Sequence, residues 1–219
     1  MRRPGVPKRH EAGLNTSRPQ ALPTLEPRLQ AVFEYIRADS HADIGSDHAH
    51  LPLHLMASKR VRRCIAVEKN LEPLERARHN AKRFGMPLET RHGDGLRALE
   101  PAEVSSLSFC GMGAKTIGGL LERDPEVLEA VQNVVAQPND WAEPLRRWAW
   151  QRGFWLENEC MVPGFWDYSV LHLRREMGVD PAYSGIPLEL GYTFGPHLLG
   201  RRDERLMVAL ERTKTGSGS

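Results

Sequence analysis

From Leu25 to Gly153 the chain alternates between short apolar runs and stretches with helical spacing, and then the alternation breaks off. The runs "HADIG", "CIAVEKN", "LETRHGDG", "SLSFCGMG" and "NVVAQPN" have the length and residue types of buried strands. Candidate helix faces lie around them. Leu29, Val32, Phe33 and Ile36 precede the first run; Leu71, Leu74, Ala77, Ala81 and Phe84 follow the second, with Asn70 placed as a cap and Gly85 as a stop. Ile117, Leu120 and Leu121 follow the fourth, and Leu145 and Trp148 the fifth, up to Gly153. Strands joined through helices pair in parallel, so this part predicts a parallel sheet covered on both faces. "FWLENECMV" and "WDYSVLHLRR" then follow, separated only by Pro163, Gly164 and Phe165. That link is too short for a parallel crossover, so the two runs must form an antiparallel hairpin. The predicted fold is α/β, a mostly parallel sheet with a terminal antiparallel hairpin and helices on both faces.

A chain of 219 residues, 40% of them hydrophobic, can bury one substantial core. The expected division is a flexible basic arm over residues 1–24, one folded domain over 25–176, and a short C-terminal segment over 177–219. The arm holds several prolines and almost no apolar periodicity; the C-terminal segment has a Gly- and Pro-containing stretch, a charged helix near 203–213 and a flexible "GSGS" end. No apolar run reaches the roughly 18 residues of a membrane span and no secretory signal stands at the start, so the expected compartment is the cytoplasm. Cys64, Cys110 and Cys160 sit singly in apolar segments, which fits reduced core thiols better than disulfides or a thiolate cluster. The net charge of +2 is too small to identify a nucleic-acid partner, but it is unevenly spread. Arg2, Arg3, Lys8, Arg9 and Arg18 oppose only Glu11 in the arm, and "SKRVRR" adds a second basic knot.

In such a sheet ligands bind beyond the carboxyl ends of the strands, near the point where strand order reverses. The first of those ends is "HADIGSDHAHLPLH", which packs histidines and aspartates closely enough to suggest a metal site. His50 and His54 have i, i+4 spacing, yet no H-E-x-x-H pattern accompanies them and no cysteine is near along the chain, so no metal is expected. His41, His50 and His54 read as surface or packing histidines. Asp47 and His48 lie on the loop itself, where functional residues concentrate. Gly45 lets backbone pass close to a bound molecule, and neither a G-x-G-x-x-G nor a phosphate-loop motif is present, so a cofactor without phosphates fits best. S-adenosylmethionine offers groups that these strand ends can match. Asp43 is placed for its amino group, and the Gly45–Ser46–Asp47 backbone for its methionine part. Glu68, with Lys69 beside it, is placed for the ribose hydroxyls, and Asp94, next to Gly95, for the adenine amino group. Gly111, Met112 and Gly113 leave room for the reacting base beside the methyl group.

An open parallel sheet closed by one reversed strand is the architecture of Rossmann-like methyltransferases. With "ADIGSDHAHLP", "GDGL", "CGMGA" and "QPN" in place, the chain from about Leu25 to Arg175 resembles the bacterial tRNA (adenine-22-N1)-methyltransferases. The resemblance implies a class I enzyme that methylates N1 of an adenine in the D-arm region of tRNA. Position by position, Asp43, Gly45, Asp47 and His48 match the first motif, Asp94 the second, Gly111 to Gly113 the fourth strand end, and Gln137, Pro138 and Asn139 the last. Two departures stand out: Ala114 replaces the family's usual second glycine, and only a short helix follows "FGPHLL" where the family carries a long coiled coil. Adenine N1 is already a nucleophile, so no strong base is obligatory; Asp47 is assigned the stabilisation of developing charge. Asn139 and the "GMG" backbone are assigned the positioning of the base, and Trp141 either stacks on it or packs on the sheet. tRNA is the expected partner, with no obligatory protein partner evident. The alternatives are a methyltransferase acting on a protein or small molecule, and a non-enzymatic RNA-binding module with a vestigial cofactor pocket.

Overall fold

A computed structural model describes the backbone of residues 21–216 and side chains as far as residue 211. Most of the basic arm anticipated over 1–24, and nearly all of the "GSGS" end, therefore lie outside the described residues. Helix α1 (Pro27–Tyr35) leads into β1 (Ala38–Ile44), α2 (His50–Ala57), β2 (Val61–Glu68), α3 (Leu71–Arg83) and β3 (Glu89–His92). The second half continues with β4 (Ser106–Met112), α4 (Ala114–Arg123), α5 (Pro125–Glu129), β5 (Asn133–Pro138) and α6 (Glu143–Gln151). Strands β6 (Phe154–Val162) and β7 (Tyr168–Arg175) precede three more helices, α7 (Leu188–Phe194), α8 (Pro196–Gly200) and α9 (Glu204–Gly216).

The strands form one sheet in the order β3-β2-β1-β4-β5-β7-β6. All neighbours from β3 to β5 are parallel, and β7 runs antiparallel to both β5 and β6. This is the predicted architecture. The order reverses between β1 and β4, which opens a crevice at their carboxyl ends. Both faces are covered: α4, α5 and α6 pack on one through Ile117, Leu121, Val127 and Leu145, and α1, α2 and α3 on the other through Val32, Leu51, Leu53 and Ala77.

Some local expectations need correction. Asn70 does occupy the N-cap position of α3, but its side chain makes no cap hydrogen bond; its backbone N–H donates instead to Glu68 Oε1 at 2.9 Å. Leu71 is 62% exposed rather than part of the buried face, which consists of Leu74, Ala77 and Ala81. Strand β7 starts at Tyr168, leaving Phe165 and Trp166 in the hairpin tip. The Gly- and Pro-containing stretch after the hairpin holds α7 and α8, and its Tyr183 and Tyr192 join the main core. A buried ion pair ties this region down. Arg146 donates to Glu159 Oε2 through Nε at 2.9 Å and Nη2 at 2.8 Å, and through Nη1 to the carbonyl of Tyr192 at 3.0 Å. Glu159 Oε1 in turn accepts the backbone N–H of His197 at 3.1 Å, at the start of α8.

Candidate active site

Beyond the carboxyl ends of β1, β2 and β4 lies a cavity of about 760 Å³. The chain leaves β1 through Gly45 at φ +79°, and a Cβ added there would sit 2.5 Å from Met112 Cε. The positive φ is a conformation that L side chains rarely adopt and glycine adopts freely, while the atom a Cβ would meet is only the flexible end of the Met112 side chain. The N–H groups of Gly45 and Ser46 both donate to the carbonyl of Val67, at 2.8 and 3.2 Å, so the loop folds over the end of β2.

Two carboxylates at this end are buried. Asp43 is 5% exposed and borders the cavity, its Oδ1 accepting the Ser108 hydroxyl at 2.5 Å. Burial pushes its pKa up; the hydroxyls of Ser108 and Ser46 oppose the shift and the charge of Glu68 adds to it. Glu68 is 7% exposed and holds the turn into α3 through Asn70. Asp94, half-exposed past β3, is held below the usual carboxylate range by Arg123, whose Nη1 lies 2.8 Å from its Oδ2. Lys69 and Gly95 line the cavity beside these acids. Asp47 and His48 line it too, both well exposed; Asp47 pairs with Arg76 on α3 at 2.7 Å and with His48 at 3.5 Å.

The "GMG" and "QPN" segments meet across β4 and β5. Gly111, at φ +74°, is clamped on both backbone groups: Gln137 Oε1 accepts its N–H at 3.2 Å and Asn139 Nδ2 donates to its carbonyl at 2.7 Å. Pro138 is buried at the end of β5 opposite Met112, and the N–H of Asn139 donates to the Met112 carbonyl at 2.8 Å. Gly113 caps α4, where Asp140 Oδ1 accepts the N–H of Ala114 at 2.7 Å. Gln137 and Asn139 thus commit their amides to shaping the β4 end.

Gly111, Met112 and Gln137 line the cavity, whereas Asn139 and Trp141 line a second groove of about 1040 Å³ behind the hairpin. Trp141 is 74% exposed, so it is not packed on the sheet, and Phe165 and Trp166 stand exposed along the same groove. Arg28, at the start of α1, joins this edge without any signal in the sequence: its Nη1 donates to Asn139 Oδ1 at 3.3 Å and its guanidinium covers the Tyr168 ring at 4.7 Å.

Of the histidines read as surface or packing groups, His50 lines the cavity, the Nε2 of His54 lies 2.8 Å from the Pro23 carbonyl, and His41 differs from both. It is wholly buried between Ser106 and Ser108. Among the described residues no three His, Cys, Asp or Glu side chains converge as metal ligands would. No described helix is long and apolar enough to cross a membrane.

A family model described as a methyltransferase domain matches residues 25–170. The tRNA (adenine(22)-N(1))-methyltransferase of Bacillus subtilis strain 168 is 31% identical over 177 residues, 80% of this chain and 74% of the relative. The crystal structure of the B. subtilis M1A22 tRNA methyltransferase TrmK superposes with a TM-score of 0.80 at 30% identity, covering 88% of this chain and 85% of that one. A Streptococcus pneumoniae structure containing S-adenosyl-L-methionine superposes with a TM-score of 0.76 at 25% identity, covering 87% of this chain and 88% of that one. Fold, strand-end motifs and relatives agree: the chain belongs to the tRNA (adenine(22)-N(1))-methyltransferase family.

Proposed function

We propose that the chain binds S-adenosylmethionine in the cavity past β1, β2 and β4 and methylates N1 of an adenine in the D-arm region of tRNA, position 22 in the numbering its relatives carry. The observation that supports the cofactor most directly is the pair of buried carboxylates on its wall, Asp43 and Glu68. A buried carboxylate costs free energy unless something stabilises it, and each already gives one oxygen to a protein donor. Asp43 is placed for an amino group and Glu68 for a ribose diol, with Asp94, Lys69 and Gly95 around the adenine end. Ser46 and His48 border the methionine side, and the glycines at 45, 111 and 113 keep the backbone close and low.

Bound there, the cofactor supplies an electrophilic methyl group on a sulfonium. The protein's part is alignment and exclusion of water. The clamped Gly111–Met112–Gly113 segment gives the reacting base a fixed edge, with Gln137, Pro138 and Asn139 holding that edge in shape. Methylation at N1 leaves a cationic base, and Asp47 supplies nearby negative charge as that cation forms. Its ion pair with Arg76 fixes its position. Trp141, exposed beside Asn139, offers a stacking face to the extruded base or its neighbour.

Incubation with methyl-labelled cofactor and bulk tRNA tests the reading. Label should appear in N1-methyladenosine, and reverse transcription should stop or misincorporate at one D-arm adenine. Asp47→Asn should lower turnover while changing cofactor affinity less, the pattern of an interaction made mainly in the transition state. Label confined to protein or small molecules would overturn the tRNA substrate; tRNA binding without any transfer would favour a binding module.

A further inference from the structure

Strands buried on both faces of a parallel sheet are normally apolar along their whole length. Here β1 and β4 carry His41, Asp43, Ser106 and Ser108, all on one face because side chains two apart on a strand point the same way. The register sets His41 opposite Ser106 and Asp43 opposite Ser108. His41, Ser106 and Ser108 are at most 1% exposed. His41 Nδ1 lies 2.9 Å from Ser106 Oγ, His41 Nε2 lies 2.9 Å from Ser108 Oγ, and Ser108 Oγ lies 2.5 Å from Asp43 Oδ1.

The direction of these bonds follows from counting protons. With Asp43 ionised, as binding a cationic amino group requires, it only accepts, so the Ser108 hydroxyl donates to it. Having used its one proton, Ser108 Oγ must accept from His41 Nε2–H. A neutral imidazole has one N–H, which leaves Nδ1 as the acceptor of the Ser106 hydroxyl. His41 is neutral because burial lowers its pKa to about 3.

We propose that Ser106, His41 and Ser108 form a one-way hydrogen-bond chain that fixes Asp43 as an oriented carboxylate at the methionine end of the cavity, where it receives a cationic amino group. This rests on reading the cavity as the S-adenosylmethionine site. Every donor in the chain points toward the carboxylate, so each bond polarises the next in the sense that favours negative charge on Asp43. Ser106, His41 and Ser108 are positioning residues: they act on the cofactor only through Asp43. The ionisable groups facing Asp43 from the packed neighbours are Glu68 and Cys64 on β2 and Cys110 on β4. Both thiols are pushed well up by burial and stay neutral, leaving Glu68 as the charge that opposes Asp43 and the serine chain as what offsets it.

The test begins with the unsubstituted full-length chain, its histidine rings labelled with nitrogen-15 and the His41 signals assigned by their disappearance in His41→Gln. They should show the neutral Nε2–H tautomer, with no titration between about pH 5.5 and 8. The Nδ1–H tautomer, or a titrating ring, would overturn the chain. Calorimetry with S-adenosylmethionine follows. Removing the hydroxyl in Ser108→Ala removes a bond that lowers the Asp43 pKa, so affinity at pH 7 should fall about 10-fold or more and the pH at which binding is lost should move up. Ser108→Thr, which keeps the hydroxyl, should restore both. A folded Ser108→Ala with unchanged affinity and pH limit overturns the proposal. Unchanged affinity in Asp43→Asn overturns the cofactor assignment of Asp43, and the purpose of the chain with it, whatever tautomer His41 shows.

Discussion

The two hollows at the carboxyl edge of the sheet are built in opposite ways. The first is walled by Asp43 and Glu68, each buried and each tied to a protein donor, with Gly45 and Gly111 beside them at left-handed φ. The second is walled by Trp141, Phe165 and Trp166, which are 74, 90 and 51% exposed. Arg146 borders this groove but turns its charge inward to Glu159, into the contact that holds α7 and α8. Fixed buried charge suits a small ligand that presents the same groups every time. Exposed aromatic faces suit a large partner, because every nucleobase offers a face to stack on. Under the proposed function, the contrast would divide the labour between a preorganised cofactor site and an adaptable substrate surface.

The largest effect should come from breaking the support of the second region. Arg146→Met keeps the side-chain bulk but strands Glu159 as an unpaired buried charge, which typically costs about 3 to 5 kcal/mol. Denaturant titration should show that loss, and calorimetry below the transition should show S-adenosylmethionine affinity unchanged. A parallel fall in cofactor affinity would mean that the two hollows are one cooperative site.

Sharpening the first region calls for Glu68→Ala. The charge-assisted bond proposed with the ribose is worth about 1.5 to 3 kcal/mol, so affinity should fall roughly 10- to 150-fold. An indirect share of that fall arises only if α3 shifts when Asn70 is deprived of its acceptor; hydrogen exchange at Asn70 and Leu74 separates the two causes. Retained affinity would remove Glu68 from the site.

How far the sequence foretells these regions depends on the range of the signals. The strand ends are legible because their evidence is local: a glycine and a carboxylate at the close of an apolar run, repeated down the chain. The hairpin is legible because Pro163–Phe165 is too short for any other connection. Arg28 is not, because it meets Asn139 across 111 residues with no periodicity to announce it. His41 reads as ordinary packing because its serine partners are 65 and 67 residues away and become neighbours only through the β1–β4 register. Arg146 and Glu159 carry no signal along the chain, and only tertiary packing makes them a buried pair. Asn70 shows the converse error: the right residue type stands at the right position, but Glu68 takes the backbone group that matters.

The third effect is a pH dependence. His41 carries a folded pKa lowered from 6.5 to about 3, so between those values the unfolded chain binds the extra proton. Its contribution to stability is therefore present above pH 6.5 and is lost as the pH falls toward 3. Between pH 7.5 and 5 the loss should be about 2 kcal/mol. His50 and His172, also lowered by burial, act in the same direction, while the raised Asp43 acts in the opposite one. The difference between the wild-type chain and His41→Gln isolates the His41 share. Equal pH slopes in the two would mean that His41 is not held neutral in the fold.

The smallest effect tests the aromatic groove. Phe165 and Trp141 are so exposed that truncating them removes little packing, and stability should stay within about 0.5 kcal/mol. Taking away one ring that stacks on an RNA base should cost about 1 kcal/mol, so Phe165→Ala and Trp141→Ala should each weaken tRNA binding about 5-fold. The two effects should roughly add if each ring meets a different base, and fall short of additive if both grip the same one. S-adenosylmethionine affinity should not move in either variant, because neither side chain lines the first cavity. If tRNA affinity holds in the double variant while Glu68→Ala still weakens cofactor binding, the exposed rings serve something other than RNA, and the substrate must approach the Asn139 edge from the α1 side, where Arg28 stands.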